Sequence, residues 1–109
     1  MKKPFLPLLI FTLALLSGCS SDENFGNSGE DFLFTEGVRS INISNWARAI
    51  TIFQQLEAQF PFGQYAEQSQ LELIYAYYRN SEPEAARAAA DRFIRLYPDS
   101  ESLDYAYYM

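Results

Sequence analysis

The sequence predicts an all-α fold built from repeated helical hairpins, an α-solenoid. Three observations support this prediction: similar segments recur 37 residues apart, apolar residues follow one another at intervals of three or four, and a proline closes each of the two copies. Because a unit of this length has room for two helices and their turns, each copy is predicted to be one hairpin.

The repeat is clearest between residues 45–61, NWARAITIFQQLEAQFP, and residues 82–98, EPEAARAAADRFIRLYP. In this alignment Pro61 matches Pro98, and each proline follows an alanine by 12 residues. The order of small residue, alanine, bulky apolar residue and closing proline resembles the tetratricopeptide pattern. We therefore expect helical hairpins that stack side by side.

The apolar spacing predicts helices at about residues 31–42, 45–60, 65–80 and 83–97, and a fifth that begins near Ser102. Pro61 and Pro98 are expected to end the second helix of each unit, because a proline ring cannot continue the helical turn.

Two helix starts carry possible capping signals. Ser81 and Glu84 have the S-x-x-E form of a capping box, in which the serine accepts a backbone N–H and the glutamate reaches back. Ser28 with Asp31 is a weaker version of the same pattern. Ser81 is therefore predicted to begin a helix.

Helices that cross closely need small side chains at the crossing and larger ones further out. The predicted crossing residues are Gly37, Ala49, Ala76, Ala86 and Ala90. The predicted space-filling residues are Ile50, Phe53, Leu56, Phe60, Phe93, Ile94 and Tyr97, and Leu73, Ile74 and Tyr77 are expected to face the paired helix.

Residues 30–109 are predicted to form this repeat domain, with about two repeats and the start of a third. The chain stops within an apolar helical segment, and repeat proteins normally cover such a face with a polar capping unit. We therefore expect the domain to be truncated.

The amino terminus has the features of an export signal. Two lysines precede an apolar run of 12 residues, which is shorter than the roughly 20 residues that a spanning helix needs. The segment LSGC at 16–19 resembles the bacterial lipobox, which implies a lipoprotein signal peptide at 1–18 and a diacylglycerol on Cys19. Ser20 and Ser21 follow in place of an aspartate, which resembles the bacterial sorting pattern for delivery to the outer membrane. An ordinary secretory signal with a chance cysteine is the alternative. Residues 19–29 are predicted to be a lipidated flexible tether, because they are rich in serine, glycine and other polar residues.

Composition excludes several classes of function. The sequence has no histidine and one cysteine, so it lacks the usual ligands for a metal site and the usual groups for cysteine–histidine catalysis. Without residues 1–18 the chain carries six basic and 14 acidic residues, a net charge of −8, which disfavours nucleic acid as a partner. No cofactor, metal or enzymatic activity is expected.

A candidate binding groove follows from the segment YAYYR at 75–79. Leu71, Tyr75 and Tyr78 share one helical face with Arg79 beside them, whereas Tyr77 points towards the core. The repeat frame adds Phe34 and Val38, flanked by Asp31 and Asn42, from the first unit and Tyr105 and Tyr108 from the third. Tyrosine offers a large stiff surface and arginine suits a carboxylate, so this face is a candidate groove for a peptide or partner. The alternative is that these rings pack against neighbouring helices.

The connection after Pro61 contains Phe62 and Gly63. Glycine permits the positive φ that a tight turn requires, and the Phe62 ring is expected to pack against the preceding hairpin. The same loop is equally a candidate contact site.

Four segments resemble one family more narrowly: FPFGQY at 60–65, QLELIYAYYRN at 70–80, DRFIRL at 91–96 and DY at 104–105. They are similar to the BamD family, the lipoproteins of the machinery that assembles outer-membrane β-barrels. The resemblance implies a lipid-anchored, non-enzymatic scaffold on the periplasmic face of the outer membrane. It also implies binding to the periplasmic domains of BamA, to BamC and other assembly lipoproteins, and to unfolded barrel proteins whose terminal peptide is aromatic and ends in a carboxylate.

Two other functions remain open at this point. Another helical-repeat lipoprotein that coordinates division or murein synthesis would share the lipobox and the repeats, but not the segments PFGQY at 61–65 and LIYAYYRN at 73–80. The solenoid part of a lytic transglycosylase is less favoured, because no carboxylate lies in a recognisably apolar surrounding.

Overall fold

The computed structural model describes Gly26 and residues 28–109. In this part of the chain all regular structure is helical. The helices are α1 Glu30–Asn42, α2 Trp46–Gln59, α3 Ala66–Arg79, α4 Pro83–Leu96 and α5 Leu103–Tyr108. The predicted bounds are correct to within one or two residues, and the all-α prediction is confirmed. The predicted signal peptide, Cys19 and most of the tether lie outside the described residues.

The helices form hairpins that stack side by side. Helix α1 packs along α2, and α3 packs along α4; α2 and α3 then join the two hairpins, and α5 packs on α4. The 37-residue period appears directly in the helix starts, since α2 and α4 begin at Trp46 and Pro83, and α3 and α5 begin at Ala66 and Leu103. The architecture is a tetratricopeptide-like solenoid, as the sequence predicts.

The predicted small residues lie where the helices cross. Gly37 is buried, and a Cβ atom there would lie 2.6 Å from the Phe53 ring. The four predicted crossing alanines, Ala49, Ala76, Ala86 and Ala90, are all buried. Close approach of the paired helices therefore depends on these positions having little or no side chain.

The core is formed by three clusters along the stack. The one between the hairpins contains Ala49, Ile50, Phe53, Leu73 and Ala76. The second joins α3, α4 and α5 through Ile74, Ala89, Ala90, Phe93 and Ala106. The third lies between α1 and α2 and contains Leu33, Ile52 and Leu56. Tyr77 is half-buried and packs against both the first and the second cluster.

Polar groups also cross between helices. In the first hairpin the Arg48 guanidinium donates to the Ser40 hydroxyl at 2.7 Å and forms an ion pair with Glu36 at 3.2 Å. Between the hairpins Arg92 donates to Glu57 and to the buried Gln70, both at 3.1 Å. The contacts of Arg92 connect α2, α3 and α4, because Glu57, Gln70 and Arg92 each come from a different helix.

The predicted capping box at Ser81 is wrong. Ser81 has φ of 60°, and its N–H donates to the Tyr78 carbonyl while the N–H of Glu82 donates to the Tyr77 carbonyl. This pair of bonds is a Schellman motif, so Ser81 ends α3 and Glu82 precedes α4 without a side-chain cap. The weaker signal at Ser28 is also wrong, because Gly29 is the residue before α1 and no side chain caps that helix.

The expectations for the α2–α3 loop are wrong in two respects. The described glycines have no positive φ, so Gly63 is not required for a left-handed turn. Its lack of a Cβ leaves room for the Glu30 carboxylate, which accepts from the Tyr65 N–H at 2.9 Å and which a side chain at position 63 would displace. Phe62 does not pack on the hairpin, since its residue surface is 99% exposed.

Candidate functional site

The centre of the candidate site is a strip on α3, which we define as Leu71, Tyr75, Tyr78 and Arg79 and call the α3 strip. Leu71 and Tyr75 are half-buried, whereas Tyr78 is 59% exposed and Arg79 is exposed. Leu71, Tyr75 and Tyr78 follow one another at intervals of four and three, and Arg79 lies four residues after Tyr75, so they share one side of α3. The strip therefore presents aromatic and cationic groups to solvent along one line.

Trp46 joins the α3 strip from the first hairpin. Its ring meets that of Tyr75 edge to face, with centroids 5.8 Å apart, and the Arg79 guanidinium lies 4.9 Å from the Trp46 ring centroid. Trp46 is not among the groove residues that the sequence predicts. The available signal was that this is the single tryptophan of the chain and that it stands at the start of α2.

A pocket of about 270 Å³ adjoins the other end of the strip, between α3 and the start of α5. It brings together three of the predicted groove residues, Leu71, Tyr75 and Tyr105, with Gln68, Glu72 and Ser102. Burial raises the pKa of the Tyr105 hydroxyl above its ordinary value, and the Glu72 carboxylate adds to this effect. The pocket thus places a phenol hydroxyl beside the carboxyl group of Glu72.

Three predicted groove residues belong neither to this pocket nor to the α3 strip. Phe34 is half-buried, stacks on Tyr65 with centroids 4.3 Å apart, and packs against the core clusters of the first hairpin. Val38 is also half-buried against the core cluster between the hairpins. Tyr108 is 88% exposed near the end of α5. The first repeat thus uses its aromatic residue on this side mainly for packing.

The predicted loop contacts, Phe62 and Gly63, lie in the α2–α3 connection. Phe62 borders a second pocket of about 270 Å³ together with Glu57, Pro61, Ala66, Gln70, Leu96 and Tyr97. This pocket includes none of the residues of the α3 strip. The two candidate contact regions are therefore separate.

The chemistry of these residues is that of a binding surface. Among the described residues, no group of three or more Asp, Glu, Cys or His side chains is arranged to hold a metal ion. No helix in that part of the chain has the length and apolar character needed to cross a membrane. Aromatic faces, phenol hydroxyls and a guanidinium instead suit a peptide with apolar and acidic side chains.

The stacked hairpins define the class of protein, a tetratricopeptide-like helical-repeat protein with an exposed aromatic strip. A family model described as YfiO, outer membrane lipoprotein, matches residues 27–109. The chain therefore belongs to this family of outer membrane lipoproteins, and the family predicted from the sequence is confirmed.

Curated relatives agree with this assignment. Outer membrane protein assembly factor BamD of Neisseria meningitidis serogroup B is 37% identical over 110 residues, covering 94% of this chain and 41% of the relative. The protein of the same name from Vibrio cholerae is 38% identical over 101 residues, covering 92% of this chain and 42% of the relative. That from Neisseria gonorrhoeae is 43% identical over 77 residues, covering 71% and 29%. The chain thus spans about two fifths of the length of the first two relatives.

Proposed function

We propose that this chain acts as a lipid-anchored scaffold in the assembly of outer-membrane β-barrel proteins and that it binds segments of unfolded barrel proteins. Its relatives are named outer membrane protein assembly factors. By the family resemblance, its partners are the periplasmic domains of BamA, together with BamC and other assembly lipoproteins. The proposed role is binding without catalysis.

The observation that carries the proposal is the α3 strip and the pocket beside it. Leu71 and Arg79 are eight residues apart on α3, which corresponds to about 12 Å along the helix axis. An extended peptide advances about 3.3 Å per residue, so roughly four residues of a client can lie along the strip. Tyr75 and Tyr78 provide flat apolar surface with hydroxyl groups, which suits the alternating aromatic and polar side chains of a barrel strand.

The proposed position of the protein follows from its amino terminus. Lipidation of Cys19 would attach the tether to the periplasmic face of the outer membrane, since two or more acyl chains give lasting anchoring. The repeat domain begins at Glu30, about ten residues further on. A polar tether of this length, rich in serine and glycine, would let the domain turn towards both its partners and its clients.

Site-specific photo-crosslinking in the complete protein tests the proposal. A photoreactive phenylalanine analogue in place of Tyr78 should crosslink to an unfolded barrel protein during its assembly. The control position is Ala88, which is exposed on α4 and lies outside both pockets. Crosslinks at position 78 that exceed those at position 88 support the proposal, and equal or absent crosslinks contradict it.

A further inference from the structure

The contact between Arg79 and Trp46 crosses the junction of the two hairpins. Arg79 is the last residue of α3 and Trp46 is the first residue of α2. A cation over an indole face loses rotational freedom, and the attraction needs no carboxylate. The start of the first hairpin's second helix thus holds the position of a guanidinium on the α3 strip.

Three of the five other arginines have a different environment. Arg39, Arg48 and Arg92 each form an ion pair with a glutamate. Within Gly26 and residues 28–109, no carboxylate lies within ion-pair distance of Arg79, whose contact is with the Trp46 ring. A guanidinium has five N–H donors in a planar fork, so Arg79 retains donors for a group from outside the chain.

We infer that Trp46 is a positioning residue that presents Arg79 as a carboxylate-binding subsite, and that this subsite takes an Asp or Glu side chain of an extended client peptide. The inference rests on the proposed function, because it assigns one subsite of the same α3 strip. The chain carries a net charge of −6, so most of its surface repels an acidic peptide. Arg79 attracts such a peptide because it is a fixed cation without an ion-pair partner in the described part of the chain and lies beside aromatic rings.

The shape of the surface favours an acidic side chain over a peptide terminus. Beyond Arg79 the surface opens into a broad recess of about 630 Å³, lined by Tyr78, Arg79, Ser81 and Pro83. A bound chain therefore has room to continue past the guanidinium. The pocket at Leu71 lies at the other end of the strip, about 12 Å from Arg79 along the helix axis. The preferred client segment thus has an acidic side chain roughly three or four residues from an apolar one.

Fluorescence anisotropy with matched peptides tests this subsite in the complete protein. Two labelled, carboxy-amidated peptides differ only by Glu or Gln at the position four residues from a phenylalanine. Titrations in about 0.15 M salt limit the long-range repulsion by the acidic protein surface. We expect the Glu peptide to bind roughly tenfold more tightly, the effect of one charge-assisted hydrogen-bonded pair.

Variants separate positioning from packing. Arg79→Gln and Trp46→Leu should reduce the Glu-to-Gln affinity ratio to about one; the ratio is the readout because a loss of contacts that both peptides share weakens both alike and leaves the ratio unchanged. Trp46→Phe keeps an aromatic face and should retain most of the ratio. Melting temperatures identify a variant that fails to fold, and the Arg79→Gln and Trp46→Phe pair decides the question if Trp46→Leu is unfolded.

Each outcome bears on a defined claim. Equal binding of both peptides to the native protein overturns the subsite and leaves the proposed function standing. Retention of the full ratio by Trp46→Leu overturns the positioning role of Trp46. Binding of neither peptide overturns the proposed function and the subsite together. If the Gln peptide with a free carboxy terminus binds tenfold more tightly than its amidated form, the subsite accepts a terminal carboxylate. That result contradicts the assignment to an acidic side chain.

Discussion

The two hairpins share one period but pack their crossing points with opposite pairs of residues. In the first hairpin Gly37 of α1 meets the Phe53 ring of α2. In the second, the positions 37 residues later are Ile74 and Ala90, which belong to one core cluster. The small and the large residue have exchanged helices. The comparison indicates that the repeat preserves the filled volume and the distance between the paired helices. Either helix of a hairpin can supply the large side chain.

The same comparison explains why one helix carries tyrosines on two sides. Tyr77 of the second hairpin corresponds to Ser40 of the first. Ser40 is buried and its hydroxyl accepts from Arg48, so polar side chains fill the space between the helices at this position. In the second hairpin the Tyr77 ring fills the corresponding space between two core clusters, and its hydroxyl accepts from Gln54 at 2.6 Å. Tyr77 is therefore a packing residue, in contrast to the exposed Tyr78.

The largest expected effect comes from exchanging the crossing pair. Phe53→Ala alone should destabilise the protein by about 3 to 5 kcal/mol, because it leaves a cavity. Gly37→Ile alone should cost at least about 1 to 3 kcal/mol, because the new side chain collides with the ring. The double variant reproduces the pair of the second hairpin, so its loss should be at least about 2 kcal/mol smaller than the sum of the two. Denaturant unfolding of all four proteins measures this coupling, and additive losses would show that the two hairpins are not equivalent.

A smaller effect is expected in the loops. Glu30 lies against Gly63 in the first loop, and the equivalent Glu67 accepts from the Ser100 hydroxyl in the second. Gly63→Ala should cost about 1 kcal/mol, because it displaces the carboxylate from the Tyr65 N–H. Gly63→Ser should cost less, because its hydroxyl can donate to Glu30 as Ser100 does to Glu67. The two variants differ by one oxygen and are compared by thermal unfolding; a serine variant as unstable as the alanine variant refutes the equivalence of the loops.

A gain in stability of similar or smaller size is expected at the carboxyl ends of α1 and α3. Ser44 and Ser81 are 37 residues apart and have φ of 59° and 60°. Each closes a Schellman motif, where glycine is the preferred residue because it has no Cβ penalty. Ser44→Gly and Ser81→Gly should each stabilise the protein by roughly 0.5 to 1 kcal/mol. A loss of stability in either variant, measured by denaturant unfolding, would mean that the serine side chain contributes a contact that outweighs the strain.

The smallest effect is expected at alkaline pH. The folded state raises the pKa of the Tyr105 hydroxyl above 10.0, through burial first and through Glu72 second. Because the unfolded chain ionises more readily, this tyrosine favours folding below about pH 10 and loses that contribution as the pH rises through its folded pKa. Tyr105→Phe should therefore flatten the decline of stability above pH 10. Tyr107→Phe is the control, since Tyr107 is exposed on the same helix; equal flattening in both contradicts the assignment.

The sequence predicts the repeat architecture because its signals are local and periodic. The 37-residue spacing, the small residues at crossings such as Gly37 and the closing proline Pro61 all act within one hairpin. The Schellman motif at Ser81 was not predicted, because the pattern S-x-x-E is equally typical of a helix start. Whether such a serine ends or begins a helix depends on which backbone groups the neighbouring helix end leaves unpaired.

The candidate site was less accessible to sequence analysis. The α3 strip follows from helical spacing, but the Trp46 contact depends on how two hairpins stack, which the period alone does not specify. The position of the Glu30 carboxylate beside Gly63 likewise joins residues 33 positions apart in the chain. Contacts between distant segments are set by the stacking of the whole solenoid, so a single sequence gives no direct signal for them.

The central claim is that adjacent tyrosines of α3 have different tasks, with Tyr78 available for clients and Tyr77 serving the core. The most direct test measures both melting temperature and affinity for an unfolded barrel-protein peptide in Tyr77→Ala and Tyr78→Ala variants of the complete protein. We predict that Tyr77→Ala lowers stability by roughly 2 kcal/mol, since its ring is half-buried, and that Tyr78→Ala lowers affinity several-fold at an unchanged melting temperature. An equal loss of melting temperature in both variants, or unchanged affinity in Tyr78→Ala, would contradict the claim.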